Sequence, residues 1–236
     1  MIDGGSSVRL GKNRFLEVIP AAQRNRLMRS AEPVVVEIRT VLFEPGEPID
    51  FADFPLTSVI SLVTPFRRGA SVEVATVGNE GIVGVPMVLG GSLAFRAVVS
   101  VAGSIARVPA ATLLSEVHGD GHFHERLDSY LQTLFGQIAQ PTACNRLHST
   151  TARLSGWLLT RSDRVGADEF AITLEFLGQM LGCRRAAVAK SVDTLRTAGF
   201  IRHRPGHVVL VDVPGLEAVA CECYATIKHE LAGIGK

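Results

Sequence analysis

The most constraining stretch of this 236-residue chain lies near its C-terminal end, where a helix, a glycine, a basic helix and a basic hairpin follow one another between residues 173 and 211. Thr173 is placed to cap a helix over Leu174-Glu-Phe-Leu-Gly-Gln-Met-Leu181, with Glu175 in the first turn to suit the helix dipole. Leu174, Leu177 and Leu181 recur at i, i+3 and i+7 and give that helix one buried face. Gly182 stands where the chain must turn sharply. The spacing then predicts a second helix over residues 184–196, with Val188, Val192 and Leu195 inward and Arg185, Ala186, Ala189, Lys190 and Asp193 outward. Ala198-Gly199 closes it, and the β-runs Phe200-Ile-Arg-His-Arg204 and His207-Val-Val-Leu-Val211 flank a Pro205-Gly206 turn. Any two short helices around a glycine match half of this pattern. All four parts in this order are far more restrictive, and they predict a winged helix-turn-helix.

Charge sharpens that expectation. The whole chain carries a formal net charge of +1, which argues neither for nor against nucleic acid. Between residues 184 and 204, however, Arg184, Arg185, Lys190, Arg196, Arg202 and Arg204 face the single acid Asp193. A basic stripe on a neutral chain is the footprint of a surface that docks on phosphates, although a charge run is also what a solvated face looks like. Arg184 and Arg185 open the second helix, the part of a recognition helix that reaches base edges. An arginine there donates two hydrogen bonds to guanine, worth about 1–3 kcal/mol of discrimination. Small Ala186 and Ala189 beside Lys190 let such a helix approach a groove closely. Arg202, Arg204 and His207 border the hairpin and are candidates for phosphate contact, which positions a domain without reading sequence.

Upstream, the pattern changes twice. Residues 12–30 read as helical, interrupted by Pro20. From about residue 34 to 108 come short β-type runs: Val34-Val-Val-Glu-Ile-Arg39, Thr40-Val-Leu-Phe43, Ser58-Val-Ile-Ser-Leu-Val63, Ser71-Val-Glu-Val-Ala-Thr-Val77 and Arg96-Ala-Val-Val-Ser-Val-Ala102. Pro45-Gly46, Pro65, Arg68-Gly69, Gly78-Asn79, Gly90-Gly91 and Gly103 punctuate them, which indicates an all-β sandwich or barrel. A short helix around residues 111–117 and a Gly119-Asp-Gly121 break lead to a long helical pattern over residues 122–140. There Leu127, Leu131, Leu134 and Ile138 step by heptad-like intervals. Periodicity alone leaves open whether this seam packs on its own β-domain or on a twin helix in a homodimer. Pro141 is expected to kink or end the helix, because it lacks an N–H and clashes with the preceding turn. These changes divide the chain into residues 1–121, 122–142 and 143–236.

Several function classes are disfavoured. No run approaches the roughly 18 apolar residues of a membrane span, and the opening residues lack the charged and apolar regions of a secretory signal, so a cytoplasmic location is expected. Cys144, Cys183, Cys221 and Cys223 form no C-x-x-C pair and read as reduced thiols, with no metal expected. His122 and His124 are two residues apart and do not share a helical face. A cupin-type enzyme needs histidines on its strands, and residues 34–108 contain none. Gly-x-Ser-x-Gly, P-loop and Gly-x-Gly-x-x-Gly motifs are missing too, so the chain is not expected to be an enzyme. A nucleotide- or partner-binding module that never touches DNA is the other alternative, and the 184–190 helix start and the hairpin speak against it.

The segment Leu177-Gly-Gln-Met-Leu-Gly-Cys-Arg-Arg-Ala-Ala-Val-Ala-Lys190 resembles the helix-turn-helix of the Crp/Fnr family of bacterial transcription regulators, down to Gly182-Cys183 and the trailing basic residue. The resemblance runs over nearly the whole chain. It implies an α+β fold: an N-terminal double-stranded β-helix (a jelly-roll-like β-roll) as effector domain, a long dimerisation helix, and a C-terminal winged helix-turn-helix. It also implies a homodimer with Leu127, Leu131, Leu134 and Ile138 at its interface, bound to a two-fold symmetric duplex with half-sites about one helical turn apart. RNA polymerase and a small-molecule effector would be further partners.

Where the chain departs from the family, it does so at readable places. An arginine, a glutamate and a further arginine contact bases in the family's recognition helix, and the matching positions here are Arg185, Ala186 and Lys190. Alanine cannot accept a hydrogen bond from cytosine, and lysine does not replace a bidentate arginine, so a different target sequence is expected. In the effector domain, Gly81-Ile-Val-Gly84 stands at the phosphate cassette with Ile82 in place of the glutamate, and Arg96-Ala97 lies out of register. Ile138-Ala139 replaces the Thr-Ser pair of the dimer helix. Gly81, Gly84 and Arg96 are thus the candidate effector positions, but the missing polar contacts argue against a cyclic nucleotide. An iron–sulfur cluster is disfavoured because the first cysteine is Cys144, and haem because no histidine precedes His118.

Overall fold

In the computed structural model, which describes residues 11–67, 70–91, 95–119 and 121–235, the chain opens on a cap. The Asn13 carboxamide oxygen accepts from the Leu16 amide and starts α1 (Arg14–Val18), while its Nδ2 donates to the Pro55 and Gly81 carbonyls at 3.0 and 2.8 Å. Pro20 precedes α2 (Ala21–Arg29), so the helical reading of residues 12–30 and its break both hold. Seven strands follow: β1 (Glu32–Val36), β2 (Val41–Phe43), β3 (Phe51–Pro55), β4 (Val59–Pro65), β5 (Ser71–Val77), β6 (Arg96–Val101) and β7 (Gly103–Pro109). They form two antiparallel sheets, in orders β1-β7-β3 and β2-β6-β4-β5, closed over a core that includes Phe15, Phe54, Ile60, Val99, Ile105 and Phe123. This is the expected β-roll.

Two of these strands were not among the five readable runs. In β3, Asp53 breaks the apolar pattern, yet it is buried because Arg107 of β7 pairs with it through two bonds of 2.7 and 2.9 Å. Gly103, expected as a breaker, is instead the first residue of β7; a Cβ there would come within 2.6 Å of the Thr57 backbone, so glycine permits close approach between strand and connection.

Past β7, α3 (Ala110–Gly119) leads to α4 (Gly121–Leu147), which continues through Pro141, so the proline does not end the helix. Tertiary contacts hold the helix on both sides of the proline, where Gln140 and Cys144 meet Cys223 and Cys221 at the start of the last helix at 3.1 and 3.6 Å, so packing overrides the local cost. A division between residues 142 and 143 therefore falls inside a continuous helix. The seam is also redistributed. Phe123, Leu127, Tyr130, Leu134 and Gln137 form the face of α4 buried on the chain's own roll. Leu127 and Leu134 are thus consumed by the core, whereas Leu131 and Ile138 remain half-buried. Phe135, which shares their face at i+4 from Leu131, is 74% exposed.

The C-terminal unit consists of α5 (Thr150–Val165), β8 (Glu169–Ala171), α6 (Leu174–Leu181), α7 (Arg185–Thr197), β9 (Ile201–Arg204), β10 (His207–Leu210), α8 (Val213–Val219) and α9 (Glu222–Ala232). A sheet in order β8-β10-β9 covers a second core of Leu154, Leu158, Leu177, Val188, Leu195 and Val208. The last helix then returns to the roll, where Leu231 joins the first core and the Leu231 carbonyl accepts from Arg14 at 2.9 Å. Among the described residues no helix is long and apolar enough to cross a membrane.

Candidate nucleic-acid interface

Each part of the C-terminal pattern has a local cause. The Thr173 hydroxyl accepts from the Phe176 amide at 3.2 Å and starts α6. Gly182 ends it with a φ of 61°, and the Gly182 and Cys183 amides bond back to the Gln179 and Gly178 carbonyls at 3.3 and 2.9 Å. Arg153 of α5 donates to the Leu181 carbonyl and locks the same turn from behind. Helix α7 then begins with Arg184 at its N-cap. Val188, Val192 and Leu195 are buried beneath it, while Arg184, Arg185, Ala186 and Lys190 are exposed and Ala189 is half-buried beside them. The residues expected to face a groove therefore share one solvent-facing side. Asp193 is occupied by Arg196 at 2.6 Å, so the acid on this face is already neutralised.

Beyond α7, Arg204 pairs with His207 across a two-residue Pro205-Gly206 loop in which Gly206 takes a φ of 79°. Ile201, Val208 and Leu210 point into the core, so Arg202, Arg204 and His207 are left exposed on the hairpin. The His207 ring lies 3.4 Å from Glu169 of β8. Exposed basic side chains thus stand both on α7 (Arg184, Arg185, Lys190) and on the hairpin (Arg202, Arg204).

The unit is docked on its own β-roll through buried charge. Arg161 of α5 pairs with Glu73 of β5, donates to Ser61 at 3.3 Å and stacks 3.5 Å from the Trp157 ring centroid. One turn later Arg164 pairs with Glu80 at 2.9 Å, contacts Thr76 and donates to Gln137 of α4 at 3.0 Å. Burial pulls the Arg161 guanidinium down to about 10, with Glu73 pulling the other way, so it remains a cation at neutral pH. Arg39, held at a φ of 70° in the β1–β2 connection, donates to the Thr173 hydroxyl at 3.1 Å and sits over the Phe176 ring. Thr173 is therefore engaged by the roll as well as by its own helix.

The candidate effector residues are met by different neighbours. A Cβ on Gly81 would strike Tyr130 of α4, and one on Gly84 would strike the Phe51 backbone and Met87. The Gly81 amide bonds to the Gly78 carbonyl, and the Val83 amide to the Asp53 carbonyl. The Gly81 carbonyl takes Asn13, and the Ile82 carbonyl takes the Tyr130 hydroxyl at 3.0 Å. This segment spends its backbone on the chain itself. Burial accordingly pushes the Tyr130 hydroxyl far above its ordinary range. Arg96 pairs instead with Glu44 at 2.8 Å, both about a third exposed.

One constellation escaped the reading of the sequence. Cys144 and His148 of the α4 end meet Cys221 and Cys223 of the α9 start, with all four ligand atoms within 4.8 Å of one another. The two pairs are separated by over seventy residues in sequence, and only the return of α9 joins them. His122 and His124 are exposed beside Glu125 and Asp128.

Residues 152–219 match the family model of the Crp-like helix-turn-helix domain. That segment is a Crp-like helix-turn-helix domain. The matched segment spans α5 to α8, and a helix-turn-helix domain of this kind is a DNA-binding unit. The fold of the chain is similar to FixK2 from Bradyrhizobium japonicum, at 16% identity and a TM-score of 0.69, covering 81% of this chain and 98% of that one. It is similar to a CRP-family transcriptional regulator from Thermus thermophilus, at 16% identity and a TM-score of 0.67, covering 79% and 96%. It is similar as well to the c-di-GMP-responsive global regulator CLP of Xanthomonas campestris, at 15% identity and a TM-score of 0.64, covering 81% and 99%. No curated protein sequence matches the chain.

Proposed function

We propose that the regulator is a cytoplasmic homodimer that reads a two-fold symmetric duplex through α7. The observation that carries this reading is the one-sided exposure of α7: Arg184, Arg185, Ala186 and Lys190 outside, Val188, Val192 and Leu195 inside. Arg185 in the first turn takes guanine O6 and N7, Lys190 adds a single-donor contact, and Ala186 and Ala189 admit the helix to the major groove. Arg184, Arg202, Arg204 and His207 hold phosphates and set the register, and the α6 start at Thr173 lies along the backbone. Because Ala186 accepts no hydrogen bond, the base pair beneath it is read without a side-chain hydrogen bond, by apolar contact or by shape.

Dimerisation uses the outward face of α4. Leu131, Phe135 and Ile138 support it, since a phenylalanine 74% exposed on a helix whose other face is fully packed is an apolar strip in want of a partner. Leu127 and Leu134 support that strip from behind rather than meeting the second copy. RNA polymerase is the expected protein partner of a DNA-bound dimer, and the roll is the seat of any effector response. Selection of bound duplexes from a random pool tests the reading: it predicts an inverted repeat with half-site centres about 10 base pairs apart. A single asymmetric half-site, or no enrichment, would refute the dimeric mode.

A further inference from the structure

We propose that Cys144, His148, Cys221 and Cys223 form a structural zinc site that ties the end of α4 to the start of α9. The donor set is three thiols and one imidazole, which is a recurrent structural zinc combination. Tetrahedral bonds of about 2.3 Å to sulfur and 2.05 Å to nitrogen place ligands about 3.8 Å apart for a sulfur pair and about 3.6 Å for a sulfur–nitrogen pair. Cys144 Sγ lies 3.6 Å from Cys221 Sγ, and Cys223 Sγ lies 3.5 Å from His148 Nδ1. Two edges of a coordination tetrahedron are thus matched, and all four ligand atoms lie within 4.8 Å of one another. An iron–sulfur cluster needs its thiolates farther apart, around several metal atoms, and a span within 4.8 Å fits a single ion instead.

The surroundings match a ligand set as well. Cys144 lies in the last turn of α4 and His148 directly follows the helix, where its amide still bonds to the Cys144 carbonyl at 3.0 Å and keeps the two side chains one turn apart. Cys221 is the N-cap of α9 and Cys223 lies in its first turn, where the helix dipole favours thiolates. Outside the four ligands, Gln140 Nε2 donates to Cys223 Sγ at 3.1 Å. His148 Nε2 faces Glu222 at 3.5 Å, so the carboxylate fixes the tautomer that leaves Nδ1 free to bind. Cys221 and Cys223 are buried, and Cys144 and His148 are half-buried. Four protein ligands leave no open position, which makes the ion a staple rather than a reaction centre.

Location gives the staple a purpose. All four ligands lie outside residues 152–219, two before the matched DNA-binding segment and two after it. The ion therefore closes the C-terminal unit at its base and fixes α9 against the helix that packs on the roll. Cys183 stands apart, next to Thr150 and Arg153, and takes no share in the site.

The test uses the full chain produced with zinc in the medium and purified under reducing conditions without chelator. Elemental analysis is expected to find about one zinc per chain, and Cys183→Ser to retain it. Cys223→Ala and His148→Ala are expected to lose it, and Glu222→Gln to weaken it by about tenfold, the low end for an exposed outer-shell group. Should a ligand variant fail to fold, cobalt titration of the wild-type apoprotein serves instead: visible absorption bands of a tetrahedral cobalt–thiolate centre are expected, and zinc is expected to raise the unfolding temperature. Absence of bound metal from the wild-type chain, equal retention by Cys223→Ala, or a Cys144–Cys221 disulfide in place of metal would overturn the proposal.

Discussion

Replacing Glu73 with alanine isolates the charge pair that docks the DNA-binding unit. The Arg161 side chain is 2% exposed and Glu73 11%, so the substitution leaves a guanidinium buried with no counter-charge. Ser61 and the Trp157 ring remain as weak partners, and Arg161 Nε already lacks an acceptor among the described residues. Breaking one side of a buried pair costs about 3–5 kcal/mol, because the orphaned ion keeps its desolvation penalty after its attraction is gone. For a chain of this size about 2–4 °C accompanies each kcal/mol, so the unfolding temperature should fall by roughly 6–20 °C. The double variant Arg161→Met, Glu73→Met removes both charges and should recover most of that loss, since an apolar pair of similar volume is often neutral or better. Calorimetry on all three proteins measures this. A Glu73→Ala shift below about 2 °C, or a double variant as unstable as the single, would refute the assignment of this contact as a desolvated ion pair.

Other substitutions separate the roles of helix and hairpin. Arg185→Ala should cost about 1–3 kcal/mol on the preferred duplex and relax preference at one base pair, measured by fluorescence anisotropy on single-base variants. Arg204→Ala should weaken all duplexes alike and reduce the salt slope by about 1; equal behaviour of the two proteins would show that the roles are misassigned. Phe135→Ala should loosen the dimer by about a hundredfold, because two copies each lose about 1.5 kcal/mol of apolar burial, as sedimentation equilibrium would register. An unchanged dimer constant would place the interface elsewhere.

Legibility in the sequence followed how local each determinant is. The unit from Thr173 to His207 was readable because its parts are set by neighbours: a cap, a glycine with positive φ, a helical period and a two-residue turn. The roll was readable where strands are apolar, as in β5, and hidden in β3, where buried Asp53 makes sense only once Arg107 of a distant strand is beside it. The helix does not end at Pro141: the local cost of a proline is written in the sequence, whereas the contacts with the start of α9 that offset it are not. The heptad spacing on α4 was real, but it has two apolar faces, and burial on the chain's own roll takes Leu127 and Leu134 and leaves Phe135 outside. The cysteine–histidine cluster was invisible for the same reason: C-x-C and C-x-x-x-H are weak separately, and only the return of the last helix joins them. The Arg161 and Arg164 contacts likewise join residues about 88 positions apart.

Duplex binding by the intact protein tests the central claim most directly. Gel-shift or anisotropy titration with fragments of the source genome, against excess non-specific DNA and over a range of salt, should reveal one or a few fragments that compete far better than the rest. Their affinity should fall steeply and log-linearly with salt, as phosphate contacts from Arg184, Arg202 and Arg204 require. Binding that ignores sequence, or no binding at low salt with the β-roll intact, would contradict the reading of α7 as the element that recognises DNA.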